Sequence, residues 1–249
     1  MTSRYGWKQH VIMDINIRIT IILRRRAMFL DTANIQQITE AMRTGVFRGV
    51  TTNPTILLKE GKGRLKQIEE ILATDAGILF VQLLGSTVDE QFSDYKLLKS
   101  RTENKRIAMK VPMDFTGLET VRRIKEDDKD TMVLGTAIYS ADQAILAALA
   151  GCDSVAPYVN RMSTNGIDPF AAIEMMRLFF DDRDLKTKIV AASFKSTDQI
   201  LKALQAGAHT CTIPYDLFLQ MINKELAGNA VRVFNEHGHE LEEKQMVRG

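Results

Sequence analysis

Cysteine is nearly absent from this chain. Cys152 and Cys211 are the only two among 249 residues, and their spacing matches no metal motif. A disulfide scaffold and a zinc module are thereby excluded, and both cysteines read as small core residues in a reducing compartment. Histidine is also sparse. His10, His209, His237 and His239 form no ligand pattern with carboxylates, so no metal site is expected. The last two lie in a polar tail and read as solvated.

Long apolar runs are missing too. A membrane span needs about 18 consecutive apolar residues. The longest candidate, 11–23, contains Asp14, Asn16 and Arg18, so no membrane association is expected. It lacks a small-residue cleavage site and runs into Arg24, Arg25 and Arg26, which argues against a secretory signal. A glycine-rich dinucleotide turn is absent after the first apolar run, which removes the best marker of a doubly wound sheet.

What remains is ordinary globular composition, 45% hydrophobic and 26% charged. The net charge of +2 is unevenly placed. Residues 1–27 hold six basic residues and one acidic, whereas the remainder holds 27 basic and 30 acidic. The body is thus slightly acidic, which gives no reason to expect nucleic-acid binding. The basic segment 1–27 has some transit-peptide character, but reads rather as an appended leader. A single folded unit is expected over 28–249, so a chain truncated to start at Met28 is expected to fold.

From Met28 onward short apolar runs alternate with helical patterns. The runs fall at 28–31, 49–53, 78–84, 107–113, 131–138, 154–159, 188–194 and 210–213. Helical patterns follow at 35–43, 63–73, 88–99, 118–126, 141–150, 169–180 and 197–206, and two more helical segments complete the chain. Eight strand–helix units imply parallel strands with helical crossovers. Eight is the number that closes a (β/α)8 barrel of this length. Pro54, Pro112, Pro157 and Pro214 mark strand ends, because proline donates no ladder hydrogen bond.

Lys110 stands out within 107–113. A charge inside an apolar strand is costly unless it is paired or its pKa is shifted. A lysine that snorkels or ion-pairs accounts for it. So does a desolvated amine lowered in pKa, the form that attacks a carbonyl to give a Schiff base. Alternation along each strand puts Asp31, Asn53, Gln82, Lys110, Thr136 and Ser193 on the inner face, near the C-terminal ends where barrel active sites lie. Each also has a plainer role. Asp31 or Ser193 could cap a helix, Asn53 could shape a turn, and Thr136 could reflect strand propensity. Gln82, an amide between Val81 and Leu83, needs a specific partner. Six polar groups converging on one mouth make the functional reading stronger than any one of them.

The runs Phe29-Leu30-Asp31-Thr32, Gly49-Val50-Thr51-Thr52-Asn53-Pro54, Met109-Lys110-Val111-Pro112, Ala156-Pro157-Tyr158-Val159-Asn160-Arg161 and Ala191-Ala192-Ser193-Phe194-Lys195 resemble the small transaldolase and fructose-6-phosphate aldolase family. The resemblance covers 28 to about 237, in order. It implies a class I aldolase on a (β/α)8 barrel, with Lys110 as the Schiff-base lysine, Asp31 as the proton-transfer carboxylate and Asn53 orienting the carbinolamine. Arg161, Ser193 and Lys195 resemble the family's phosphate-binding set.

Transaldolases of this family typically carry Glu on the third strand, Asn before the Thr of the fifth and Phe after Ser-Pro on the sixth. Here stand Gln82, Gly135 before Thr136, and Tyr158 after Ala156-Pro157, all like the aldolase branch. A phenol can hold a water and serve as general acid–base, and phenylalanine cannot. Gln82 and Thr136 can bond that water. The resemblance therefore implies cleavage or formation of fructose 6-phosphate from dihydroxyacetone and glyceraldehyde 3-phosphate, with transaldolase transfer as the alternative and a non-catalytic sugar-phosphate-binding barrel as a more distant one. It also implies sugar phosphates as small-molecule partners, no cofactor, a cytoplasmic location and a homo-oligomer, often a decamer of rings, with the C-terminal helix packing on a neighbour.

Overall fold

The structure, a computed structural model, describes residues 28–102 and 106–246. The leader expected at 1–27 lies outside them. Eight parallel strands close into a barrel in sequence order. They are β1 (Met28–Asp31), β2 (Phe47–Thr51), β3 (Ile78–Gln82), β4 (Ile107–Pro112), β5 (Val133–Ile138), β6 (Ser154–Pro157), β7 (Lys188–Ala191) and β8 (Thr210–Ile213). β8 returns to pair with β1, Phe29 opposite Thr212 and Leu30 opposite Ile213.

The helices that cross between strands are α1 (Ile35–Met42), α3 (Arg64–Leu72), α4 (Val88–Arg101), α5 (Phe115–Asp127), α6 (Ala141–Leu149), α8 (Pro169–Asp182) and α9 (Thr197–Gln205). Two further short helices sit in loops at the C-terminal end of the barrel: α2 (Pro54–Lys59) and α7 (Val159–Thr164). At six residues each they are too short to show helical periodicity in the sequence. α10 (Tyr215–Ile222) and α11 (Glu225–Met246) complete the described chain. Polar residues start the crossover helices. Asn34, Asp114, Ser140 and Ser196 each accept an N–H from the first turn of α1, α5, α6 and α9. Thr87 and Glu90 form a reciprocal capping box on α4.

Two cores result from strand alternation. Outward side chains such as Leu30, Val50, Leu79, Val111 and Val155 pack under the helices. Inward ones, Phe29, Phe80, Ala108, Leu134, Ala156 and Val190 among them, fill the barrel, with Phe29 edge-on to Phe80 at 5.1 Å. Burial of both faces explains why the strands read as continuous apolar runs. Gly49 permits the close approach of β2 to β3, since a Cβ there would lie 2.2 Å from the Ile78 carbonyl oxygen.

The register breaks beside Ala137, between Gly135 and Ile138. Ala137 has φ +56°, and its carbonyl accepts a bond from Gln143 Nε2 at 3.0 Å. Among the described residues, no helix is long and apolar enough to cross a membrane.

Candidate active site

The C-terminal end of the barrel holds a cavity of about 420 Å³. Lys110 rises into it from β4. The alternation that buries Ala108 inward two residues earlier also carries Lys110 inward. Only 5% of Lys110 is exposed, and its Nζ donates to the Thr52 carbonyl at 2.9 Å. Among the described residues it forms no ion pair within 4 Å, although its charge acts on the Asp31 carboxyl across the cavity wall.

Asp31, at the end of β1, borders the same cavity. It does not cap α1, a role taken by Asn34. Burial pushes its carboxyl above the usual range, against the smaller opposing effects of the Lys110 charge and a hydrogen bond from Thr51 Oγ1 at 2.7 Å. Thr51 in turn lies 2.5 Å from Thr212 Oγ1. These two threonines were not singled out from the sequence, where threonine in a strand reads as β-propensity.

Tyr158 follows β6, and its hydroxyl is 2.9 Å from Thr136 Oγ1. Thr136 is buried on the inner face of β5, behind the phenol, and does not itself border the cavity. Gln82 ends β3 directly beside Lys110 in register and shares the inner face with Phe80, but it too lies outside the cavity wall. Gly135 needs a correction. It faces the helices, where an added Cβ would meet Met113, Ala147 and Cys152 at 3.0–3.3 Å. The inward residue preceding Thr136 is Leu134, which borders the cavity, so position 135 says nothing about the site.

Asn53 combines both readings given to it. It borders the cavity, and its side chain accepts the Ile56 N–H at 2.9 Å to start α2. Proline at the first helical position suits this geometry, so Pro54 opens a helix where the sequence showed only a strand end.

Ser193 is also corrected. β7 ends at Ala191, and Ala192 takes the inward place, so strand parity does not reach residue 193. Ser193 borders the cavity because its backbone is left-handed, with φ +62°, and its carbonyl accepts the Asn160 N–H at 2.7 Å. Lys195 and Arg161 stand on the same rim. Arg161 lies with its guanidinium carbon 5.1 Å from the Tyr158 ring centre and donates to the Tyr139 hydroxyl at 3.3 Å. Tyr139 meets Tyr158 edge-on at 5.6 Å.

Lys59 on α2 and Asp216 on α10 also border the cavity and were not anticipated, because an exposed charge on a helix normally reads as solvated. Neither cysteine takes part. Burial pushes both thiols up to about 12, which keeps them protonated and unreactive. Among the described residues, no group of three or more His, Cys, Asp or Glu could hold a metal ion.

The arrangement therefore places one buried amine, one carboxyl with a raised pKa and one phenol around a polar cavity with cations at its rim. A family model described as Transaldolase/Fructose-6-phosphate aldolase matches residues 28–248. The chain is 34% identical over 208 residues to a probable transaldolase of Thermoanaerobacter sp., a match covering 84% of this chain and 94% of that protein. It is 33% identical over 217 residues to a probable transaldolase of Pelotomaculum thermopropionicum, covering 87% and 99%. Among solved structures, a flavocytochrome b2 variant with sulfite bound aligns at TM-score 0.54 and 13% identity, over 76% of this chain and 56% of that one, a likeness of fold alone. Matched from the first strand to the end of the last helix, the chain belongs to the transaldolase/fructose-6-phosphate aldolase family.

Proposed function

We propose that the protein is a Schiff-base aldolase that cleaves or forms fructose 6-phosphate, with Lys110 as nucleophile. The observation that carries this reading is a buried lysine in a polar cavity that it shares with a carboxyl raised by burial. In its neutral form Lys110 attacks the ketose C2 carbonyl, and loss of water gives an iminium ion. Asp31, whose carboxyl is raised by burial, moves the protons of these steps. Asn53 orients the carbinolamine.

The iminium draws in the electrons of the C3–C4 bond. Tyr158, directly or through a water held with Gln82 and Thr136, takes the C4 hydroxyl proton as the aldehyde leaves. Arg161, Ser193 and Lys195 hold the phosphate of that aldehyde, glyceraldehyde 3-phosphate. The remaining enamine is protonated at C3 and hydrolysed to dihydroxyacetone. The amine supplies the electron sink, so the scheme uses no metal or organic cofactor.

The second reading is transaldolase, in which the enamine attacks an acceptor aldose instead of a proton. The names of the relatives favour it, whereas Gln82 and Tyr158 favour release. A homo-oligomer belongs to either reading. It is supported by α11, which leaves Leu226, Val231, Phe234 and Leu241 exposed on the single chain.

Borohydride reduction with dihydroxyacetone present tests the chemistry. A stable adduct on the Lys110 peptide, absent from Lys110→Met, is the expected result. A folded protein that traps nothing is a sugar-phosphate binder and not an enzyme. Free dihydroxyacetone formed from fructose 6-phosphate alone identifies the aldolase, and strict dependence on erythrose 4-phosphate identifies the transaldolase.

A further inference from the structure

Arg64 begins α3 and Asp94 lies on α4, both outside the cavity wall. They form a forked pair, Arg64 Nη1 to Asp94 Oδ1 at 2.6 Å and Nη2 to Oδ2 at 2.8 Å. Their side chains are only 20% and 11% exposed, whereas helix-surface pairs such as Arg122–Glu126 are about 60% exposed on both sides. Exposed pairs of that kind contribute little, but a forked and largely buried one is directional and poorly screened.

Each partner also makes a second bond, and both go to the end of β3. Arg64 Nη2 donates to the Gln82 carbonyl at 2.8 Å, and Asp94 Oδ2 accepts the Leu84 N–H at 2.9 Å. Between them the Leu83 N–H donates to the Lys110 carbonyl at 2.8 Å. Three backbone groups on the two successive peptide units after Gln82 are thus held, two by the ion pair and one by the backbone of the lysine itself. The barrel ladder gives out at this point, and the ion pair takes over the unpaired groups.

We propose that the Arg64–Asp94 pair is a positioning element for Gln82 and, through it, sets how the enamine partitions between protonation and transfer. This rests on the Schiff-base reading above. Arg64 and Asp94 touch no substrate. They fix the strand end that carries the Gln82 side chain beside Lys110, and the Schiff-base reading gives that amide the water shared with Tyr158 and Thr136. A shift of the strand end misplaces that amide while leaving Lys110 to form its iminium, because β5 still holds β4 on its other side, with Lys110 opposite Leu134.

The test measures free dihydroxyacetone against product transferred to an acceptor aldose, in the same reaction, for the full chain. Asp94→Asn keeps an acceptor for Leu84 and weakens the fork. Arg64→Lys keeps the charge and cannot serve Gln82 and both Asp94 oxygens at once. Both are expected to lower the release-to-transfer ratio by about three- to tenfold, since small misplacements of a reacting group are costly, with borohydride trapping at Lys110 intact. In a Gln82→Ala background neither should change the ratio further.

A pair that merely stabilises the fold would lower the unfolding midpoint and leave the ratio unmoved, which overturns the proposal. So would an equal shift in the Gln82→Ala background. Should one variant fail to fold, the other decides. Absence of any trapped adduct in the unaltered protein would instead refute the Schiff-base reading and this proposal with it.

Discussion

The Thr51 hydroxyl donates to Asp31 Oδ1 at 2.7 Å and lies 2.5 Å from Thr212 Oγ1. A hydroxyl has one proton to give. Thr51 gives its proton to Asp31, so Thr212 donates to Thr51. Two hydroxyls from β8 and β2 therefore back the carboxyl on β1. This bond works against burial, which raises the Asp31 pKa. Thr51→Val removes it and raises that pKa further. The acid limb of the kcat/KM profile should then move to higher pH, since a hydrogen bond to the charged form is lost. Thr51→Ser should leave the limb in place. A limb unmoved by Thr51→Val would remove Asp31 from the proton transfers.

Tyr158→Phe keeps the ring, and with it the edge-on contact to Tyr139, but loses the hydroxyl that meets Thr136 at 2.9 Å. Release of free dihydroxyacetone should fall by about 10²-fold, the usual contribution of a general acid–base. Transfer to an acceptor aldose should fall less. Parallel assays of the two activities decide the matter, and equal losses would contradict the role given to the phenol.

Arg161→Ala should raise KM for the phosphorylated aldehyde by about 10- to 100-fold, because hydrogen bonds to charged groups contribute about 1.5–3 kcal/mol. KM for unphosphorylated glyceraldehyde should barely change. Steady-state kinetics on both substrates separates anion binding from general disruption of the rim. The same loss on both substrates would mean that Arg161 matters for packing over Tyr158 and not for phosphate.

His209 gives a stability prediction remote from the cavity. Its Nδ1 accepts the Ile189 N–H at 3.0 Å, which requires the neutral ring. Burial, with the charges of Lys188 and Arg177, lowers its pKa from 6.5 to about 4. Between those values the unfolded chain binds a proton that the folded one refuses, so stability is complete above about 6.5 and is lost as pH falls towards 4. Solvent reaches the ring, and about 1–2 kcal/mol remains after screening. Urea midpoints across this range measure it. His209→Asn, which can offer an oxygen to Ile189, should flatten the dependence.

Much of this architecture was readable in the residues. β8 lies at 210–213 as its turn signals require, and alternation placed Lys110, Asp31 and Thr136 on the inner face. Alternation failed at Ser193, because parity holds only while the strand lasts and β7 stops at Ala191. Gly135 was misread for a related reason. It lies within β5 but on the outward parity, where a comparison of residue types says nothing about the cavity. Thr51 and Thr212 were passed over because their role lies in a bond between strands far apart in sequence. Lys59 and Asp216 escaped notice because their helices turn them to the cavity in a way that only the folded loops reveal.

The left-handed backbone at Ser193 has a consequence for how such a site can change. Lys110 and Asp31 stand on strands whose ladder fixes them, whereas Ser193, Lys195 and Arg161 stand beyond the strand ends. On the reading proposed above, the covalent chemistry of Lys110 and Asp31 belongs to the strands, and the grip on the anion to segments beyond the strand ends. Replacing the segment after β7, which carries Ser193 and Lys195, should then alter which aldehyde is accepted without moving the amine, whereas the segment after β6 carries the Tyr158 phenol together with Arg161. A scaffold divided in this way is open to new substrates while its bond-making step is retained.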